Sequence, residues 1–196
     1  MELGEAADWF ATVPLDGWDG TQWVTNVAYG DFHVYDRFIT ERTFGAKKRI
    51  FLQPDNKRLD TSTYKVVRNP AGQVYIVQAD NVDISGVETY QSSILLLEAA
   101  FTANIVEYTT TTLASGQAGS ATLNVVGTSV CDVERFTSDR SDEFDLVTYG
   151  IFKITLPGDV TVGTDQELQI DGSLYEVKEV APELLSTVVR ALRRAT

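Results

Sequence analysis

The sequence has a single cysteine, a single histidine and no apolar run long enough to cross a membrane. Because Cys131 has no second cysteine to pair with, the chain cannot be an intramolecular disulfide scaffold, and this fits a reducing compartment. The longest apolar clusters, at 94–100 and 184–192, are much shorter than the roughly 20 residues that a transmembrane helix needs. The first residues are acidic, which is untypical of a secretion signal. We expect a protein that stays in the cell that makes it and has no membrane partner.

Residue patterns that perform catalysis or bind metals are also missing. The sequence has no glycine-rich phosphate loop, no nucleophile elbow and no Cys or His pair at metal-ligand spacing. His33 has no partner in sequence to orient it as a base, and Cys131 has no neighbouring Lys, so we interpret both as structural residues. The acidic stretch 139–145 lacks the glycine and the spacing of a calcium loop and is interpreted as solvated. We expect no enzyme activity, no cofactor and no metal site.

Positive charge is in deficit along the whole chain. There are 9 basic and 15 acidic residues up to Tyr108, and 7 basic and 13 acidic residues after it, so each half carries −6 of the net −12. A surface that grips nucleic acid by its phosphates is therefore not expected. An acidic wall along which DNA passes without adhering is compatible with this balance.

What the sequence does have is short runs in which apolar and polar residues alternate, a pattern with a period of two that indicates β-strands. The second half has such runs at 152–156, 167–171 and 174–180, and the first half at 49–52, 63–67 and 73–77. Asp171-Gly172 between two of these runs is typical of a tight hairpin turn, and residues 69–72 predict another turn. Helix signals are few. Residues 92–105 and 183–196 fit either a strand or a helix.

The two halves of the chain also match each other in order. The corresponding segments are 37–42 with 135–140, 50–55 with 153–159, 72–77 with 172–177, and 93–98 with 187–192. A tandem duplication explains this order, and the alternative is chance recurrence of strand patterns. The repeat favours strands in the two ambiguous segments. We predict an all-β protein of two tandem, small antiparallel β-barrel or β-sandwich domains with little helix.

Composition suggests where these domains begin and end. We predict an N-terminal arm at 1–29 without a counterpart in the second half, a first β-domain at 30–108 and a second at 120–196. Residues 109–119 are small and polar, without periodicity, and are interpreted as a linker or a long loop between the domains.

Two groups of residues are candidates for an interface. Trp9, Trp18 and Trp23 all fall in the predicted arm, where tryptophans serve either as core or as a docking surface. Arg190, Arg193 and Arg194 near the end of the sequence are suited to pairing with an acidic neighbouring subunit, although an ordinary exposed strand end explains them equally well.

Residues 129–180 resemble the head-closure, or head–tail connector, proteins of tailed bacteriophages. The resemblance depends on an ordered set of features: Val130-Cys131-Asp132-Val133, the polar loop 139–145, the strand 152–156 with Pro157-Gly158-Asp159 after it, and Ile170, Gly172, Tyr175 and Val177 in an I-x-G-x-x-Y-x-V strand pair. Through the repeat, the first half matches at Leu52, Pro54, Gly72, Tyr75 and Val77.

This resemblance implies a structural virion protein without catalytic residues. It implies a hexameric or dodecameric homo-oligomeric ring in the neck, made in the host cytoplasm, between the portal or its adaptor and the tail terminator or tail tube. Such a ring closes the head and lets DNA pass without sequence-specific binding. Two alternatives stay open: a capsid decoration or tail structural protein, and a carbohydrate-binding β-sandwich with Trp9, Trp18 and Trp23 as sugar platforms.

Overall fold

The computed structural model describes residues 13–34, 48–54, 57–80, 91–112, 118–136 and 151–194. Within these residues the chain forms twelve β-strands and no α-helix, so the predicted all-β class is confirmed. The described parts of the two ambiguous segments, 92–105 and 183–196, are largely strand. None of the described residues belongs to a helix that is long and apolar enough to span a membrane.

The strands fall into two consecutive sets of six. The first set is β1 (Val13–Trp18), β2 (Trp23–Val34), β3 (Lys48–Pro54), β4 (Val66–Arg68), β5 (Val74–Asp80) and β6 (Gln91–Glu98). The second set is β7 (Phe101–Thr112), β8 (Ala118–Phe136), β9 (Ile151–Pro157), β10 (Glu167–Ile170), β11 (Ser173–Pro182) and β12 (Ser186–Arg193).

Each set forms a closed antiparallel barrel. The first barrel has the order β1-β2-β3-β6-β5-β4, and β4 pairs with β1 to close it. The second has the order β7-β8-β9-β12-β11-β10, and β10 pairs with β7. Adding six to each strand number of the first barrel gives the second, so the predicted tandem barrels share one topology.

The likeness of the barrels extends to single residues. The pairing of β5 with β6 shifts register after Val77, and the pairing of β11 with β12 shifts after Val177, the residue that the sequence repeat aligns with it. Two residues before each bulge lies a buried tyrosine, Tyr75 or Tyr175, whose ring contacts a phenylalanine ring in its own barrel. A bulge and a core aromatic residue at the same two places are what duplication of one unit predicts.

The turns predicted from sequence are present. Asp171 and Gly172 both have positive φ, 48° and 75°, which is the conformation of a two-residue hairpin turn. In the first barrel, Gly72 has a φ of 83° and its N–H donates to the carbonyl of Asn69 at 2.9 Å. Both glycines are at the entrance to the strand that carries the core tyrosine.

The structure corrects the predicted N-terminal arm. Its described residues belong to β1 and β2, which are the first two strands of the first barrel and the counterparts of β7 and β8. The inward side chains Leu15 and Ala28 are buried in the barrel core. Val13 and Leu15, on either side of Pro14, form a strand here because the rest of the barrel covers their side chains. Residues 1–12 lie outside the described residues.

The predicted linker at 109–119 is also corrected. Residues 109–112 end β7 and residues 118–119 begin β8, so this segment joins two paired strands of the second barrel. The chain instead passes between barrels at Ala99 and Ala100, which places the domain change before β7. Threonine is β-branched and favours strands, and the segment is polar because the strands it joins are exposed there. Residues 113–117 lie outside the described part.

Each barrel has its own core of inward side chains. In the first they include Leu15, Phe51, Val67, Ile94 and Leu96, and in the second Ile105, Cys131, Ile154, Leu168 and Val189. Cys131 is fully buried, and burial raises the pKa of its thiol to about 12. The thiol is therefore protonated and inert at neutral pH, which confirms its interpretation as a small core residue.

The approach of β2 to β3 leaves no room for a side chain at Gly30, and this generates a test of the first barrel. A Cβ at Gly30 would lie 2.1 Å from the carbonyl oxygen of Leu52 and 2.7 Å from the Phe51 ring. We expect Gly30→Ala to lower the free energy of unfolding by about 1–3 kcal/mol, because overpacking forces the backbones apart. Urea denaturation monitored by circular dichroism measures this change.

Gly127→Ala on β8 is the matched control. A Cβ there would meet Ile105 at 3.4 Å, an ordinary contact distance, so the change in stability should stay within about 0.5 kcal/mol. Equal losses for the two variants would contradict the close β2–β3 approach.

Candidate functional site

The two barrels bury part of their outer walls. On the first barrel, Val66, Ile76 and Leu97 are cross-strand neighbours that are at most 6% exposed, although Ile76 and Leu97 do not belong to the barrel core. On the second barrel, Thr155 and Val188 form a similar buried row with Asp132. Strand β5 lies against β9 and β12, so the two rows cover each other. The barrels thereby share apolar burial that each small core lacks alone.

Asp132 is a buried acid within this contact. Its side chain is 3% exposed, and its Oδ2 atom has no hydrogen-bond partner. Burial, followed by the negative charges of Glu134 and Glu98, raises the pKa of Asp132 to about 6, while the Val133 N–H and Lys153 act in the opposite direction. Glu98 ends the last strand of the first barrel, so the charge that acts on Asp132 comes from both barrels.

A cleft lies where the two barrels meet. Its volume is about 400 Å³. The lining residues are Trp18, Gly20, Trp23 and Val66 from the first barrel and Thr102, Thr128, Ser129, Val130, Pro157, Asp159 and Val160 from the second. Apolar side chains from both barrels thus form one concave surface with several hydroxyl groups and one carboxylate at its sides.

The β1–β2 turn places two tryptophans in this cleft. The Asp19 carboxylate accepts hydrogen bonds from the N–H groups of Thr21 and Gln22, both at 2.8 Å, and these bonds lower the pKa of Asp19. Trp18 and Trp23 flank the turn as a cross-strand pair, with ring centroids 5.5 Å apart in an edge-to-face arrangement. The turn therefore holds both rings in a defined position.

Arg68 fixes the Trp23 ring from the neighbouring strand. Its guanidinium carbon lies 4.5 Å from the centroid of the Trp23 ring, and its Nε donates to the Asp16 carboxylate at 3.0 Å. Asp16 and Arg68 are also partners in the β1–β4 pairing that closes the barrel. One face of Trp23 is thus occupied within the molecule, and Trp18 and Trp23 remain only half-buried.

The three candidate arginines each have a partner within the chain. Arg190 donates to Glu179 at 2.9 Å, and Arg193 donates to Ser173 Oγ at 2.7 Å. Arg194 lies 2.6 Å from the buried Glu167 carboxylate. These contacts hold the arginines to separate positions on the second barrel, so the structure does not gather them into a single basic surface.

A second surface lies beyond the barrel wall, where β7 and β8 continue as a two-stranded extension. Strand β10 pairs with β7 only at residues 103–106, and β9 pairs with β8 only at residues 132–136. Beyond these positions β7 and β8 pair with each other as far as Thr112 and Ala118. We call the described residues 107–112 and 118–126 the ribbon. Side chains at 107–110 and 121–126 are all exposed.

The two faces of the ribbon differ in polarity. Tyr108 pairs with Leu123, and Val106 with Val125, so these side chains share one face. The intervening pairs, Glu107 with Asn124 and Thr109 with Thr122, form the opposite, polar face. On the apolar face Tyr108, Leu123 and Val125 are 43%, 36% and 55% exposed. The ribbon therefore exposes apolar side chains on this face, where the Arg194 guanidinium lies 5.6 Å from the centroid of the Tyr108 ring. Val126, at the register shift of the hairpin, is also 52% exposed.

Contacts at its base fix the direction of the ribbon. The Tyr108 hydroxyl donates to Glu167 at 3.1 Å, and the Arg194 guanidinium donates to the same hydroxyl at 3.2 Å. On the other face, Gln166 donates to Glu107 at 2.6 Å. Arg194, a candidate interface residue from sequence, thus acts here as an anchor of the ribbon.

Sequence reasoning identified part of these surfaces. It selected Trp18 and Trp23, which the structure brings together, whereas Trp9 lies outside the described residues. It missed Tyr108, Leu123 and Val125, although the alternation of Ala121, Leu123 and Val125 with polar residues was a strand signal. The acidic stretch 139–145 also lies outside the described residues.

Comparison of the chain with protein-family models, curated proteins and solved structures found no match. Within the described residues, no group of three or more His, Cys, Asp or Glu side chains is placed to hold a metal ion. The candidate surfaces among the described residues are the cleft and the ribbon.

The buried Asp132 predicts how stability depends on pH. Since its pKa is raised from 3.8 to about 6, folding favours the protonated carboxyl, and this stabilisation is lost as the pH rises through about 6. We expect Asp132→Asn, which keeps the shape and removes the charge, to raise the melting temperature at pH 8 by about 2–4 °C or more. At pH 3, below both the ordinary pKa of 3.8 and the folded value of about 6, the wild type and the variant should melt together.

Differential scanning calorimetry at both pH values measures this difference. Asp171→Asn is the control, because Asp171 is exposed and Asn also adopts its positive φ. A gain for Asp132→Asn that is equal at pH 3 and pH 8 would show that the charge of Asp132 is not the cause.

Proposed function

We propose that this chain is a structural virion protein of a tailed bacteriophage, which forms a ring in the neck between the portal or its adaptor and the tail. In this role it closes the head around the packaged DNA and joins the head to the tail tube or tail terminator. The resemblance of residues 129–180 to head-closure proteins suggests the proposal. The repeated barrels extend that resemblance to both halves of the chain.

The observation that carries the proposal is the ribbon. A closed barrel pairs its own strands all round and leaves no edge for a neighbour, whereas a projecting two-stranded ribbon presents both a free edge and an apolar face. An exposed, contiguous apolar surface on a folded protein is typical of an interaction site. A protein that works by assembly needs such a surface.

The charge of the chain is compatible with DNA passing through the ring. With a net charge of −12, the subunits would present a wall to which phosphates do not adhere. Weak attraction is an advantage in a channel that DNA must leave quickly. In this proposal the protein makes no sequence-specific contact with DNA.

A carbohydrate-binding module is the second candidate, and the cleft favours it. Trp18 and Trp23 lie beside the hydroxyl groups of Thr102 and Thr128 and the carboxylate of Asp159, which are groups that sugars stack on and bond with. Against it, Arg68 occupies one face of Trp23 and the two indole rings pack edge to face, so little ring surface is free for a sugar.

Assembly with the portal tests the first proposal. We expect the purified protein, mixed with the portal and adaptor proteins encoded in the same genome, to form a complex with ring density on the portal axis in electron microscopy. Light scattering of the protein alone gives the subunit number. A protein that binds capsids but leaves the portal bare would be a decoration protein, and this result would overturn the neck assignment.

Tryptophan fluorescence tests the second candidate. If the cleft binds sugars, titration with a panel of glycans should change the emission of Trp18 and Trp23, and Trp18→Ala should weaken that response. The carbohydrate proposal predicts saturable binding. An unchanged spectrum at millimolar glycan would exclude it, and the Trp23→Phe variant controls for emission from the remaining tryptophans.

A further inference from the structure

We propose that the apolar face of the ribbon of one copy docks in the cleft between the two barrels of the next copy. This contact specifies how neighbouring subunits of the proposed neck ring bind each other. That the contacts close into a ring rests on the proposed function. The contact itself is a head-to-tail association between identical chains, and it can be tested on the purified protein.

The first argument is that the ribbon needs a partner. A two-stranded ribbon is marginally stable by itself, and here the strands continue for several residues beyond the last pairing with β10 and β9. Tyr108, Leu123 and Val125 lie on one face with at least a third of each side chain exposed. Packing that face against an apolar surface would remove it from water and stabilise the strands.

The second argument is that only an uncharged surface suits a contact between copies. Each chain carries −12, so two copies repel each other through most of their surfaces. Residues 108–131 contain no charged side chain, in a chain where 22% of the residues are charged. This stretch includes every residue of the ribbon except Glu107. The ribbon is therefore where one acidic copy can approach another at short range.

The third argument identifies the cleft as the receiving surface. The cleft is concave and lined by apolar side chains such as Trp18, Val66 and Val160, with hydroxyl groups beside them. Such a surface suits the apolar side chains and threonines of a ribbon. Among the described residues that line it, Asp159 is the one carboxylate, so these residues add little to the repulsion between copies.

The ribbon cannot fill its own cleft. Thr102, Thr128 and Val130, at the base of the same two strands, line the cleft. A strand rises about 3.3 Å per residue, so along the strands Tyr108 lies roughly 20 Å from Thr102 and Leu123 roughly 16 Å from Thr128. Since the paired strands continue away from their base and Tyr108 is held to Glu167, the apolar face reaches a different copy.

A contact between two different surfaces of the same chain has a consequence for assembly. Each copy offers one ribbon and one cleft, so every docked copy still has one surface free for the next. Such heterologous contacts form a closed ring when the rotation between copies returns to the start. The proposal thus provides a physical basis for a ring rather than a symmetric dimer.

Introducing a charge on the apolar face of the ribbon tests the role of that face in self-association. We expect Leu123→Glu to weaken self-association of the full-length protein by at least about tenfold, because it puts a charge into the apolar contact. Thr122→Glu adds the same charge at the adjacent exposed residue on the polar face and should leave association unchanged. Light scattering over a concentration series measures both, and circular dichroism checks that both variants fold.

Equal weakening by the two variants would assign the effect to net charge and overturn the role of the apolar face. A wild-type protein that stays monomeric at the highest concentration would also overturn the inference. If the protein self-associates through the ribbon but ignores the portal, the docking contact survives and the neck function fails. If the protein binds the portal and Leu123→Glu assembles like the wild type, the neck function survives and the docking contact fails.

Cysteine cross-linking tests where the ribbon docks. Cys131 is fully buried, so a new surface cysteine can be read without interference. Val125→Cys on the ribbon and Asp159→Cys in the cleft are mixed as separately tagged proteins and oxidised. We expect a disulfide between the two different variants and very little within either alone. Efficient coupling of Val125→Cys to itself would show ribbon-to-ribbon dimers and overturn docking in the cleft.

Discussion

Both barrels depend on the hydrogen bonds that close them, those between β1 and β4 in the first barrel and between β7 and β10 in the second. A closed sheet has no strand edge along its wall, so neighbouring copies cannot add strands there. In the described second barrel, free edges occur on the part of β7 and β8 that extends beyond this closure and on residues 177–182 of β11, which pair with β12 alone. Closure therefore both completes the fold and determines where an interaction through strands can occur.

The contact between the barrels compensates for their small cores. Ile76 and Leu97 are as well buried on the outer wall of the first barrel as Phe51 is within it. Asp132 is buried and its pKa is raised by burial and by the charges of Glu134 and Glu98, so its charge opposes folding at neutral pH. A tandem pair thus gains apolar burial and a dependence on pH that a single barrel would not have.

Local chemistry made part of this structure predictable. Asp171-Gly172 and the turn after Asn69 could be predicted because a few adjacent residues determine the turn. The pairing of Asp16 with Arg68 brings together strands that are 52 residues apart, and no local pattern announces it. The burial of Asp132 depends on the other barrel, so between Cys131 and Val133 it has the pattern of a surface residue. Threonines 109–112 were interpreted as a linker because the polar residues of an exposed ribbon resemble those of a linker in composition.

The two surfaces of the proposed contact lie on equivalent hairpins of the two barrels. Leu15 and Ile105 each precede a bulge in the first hairpin of their barrel, and three residues later the chain reaches Trp18 in one and Tyr108 in the other. At Trp18 the first hairpin turns back and forms a wall of the cleft, whereas at Tyr108 the second continues outward as the ribbon. Shortening one copy and extending the other changes two equivalent elements into a concave and a projecting surface. Two such unlike surfaces on one chain favour head-to-tail association over a symmetric pair.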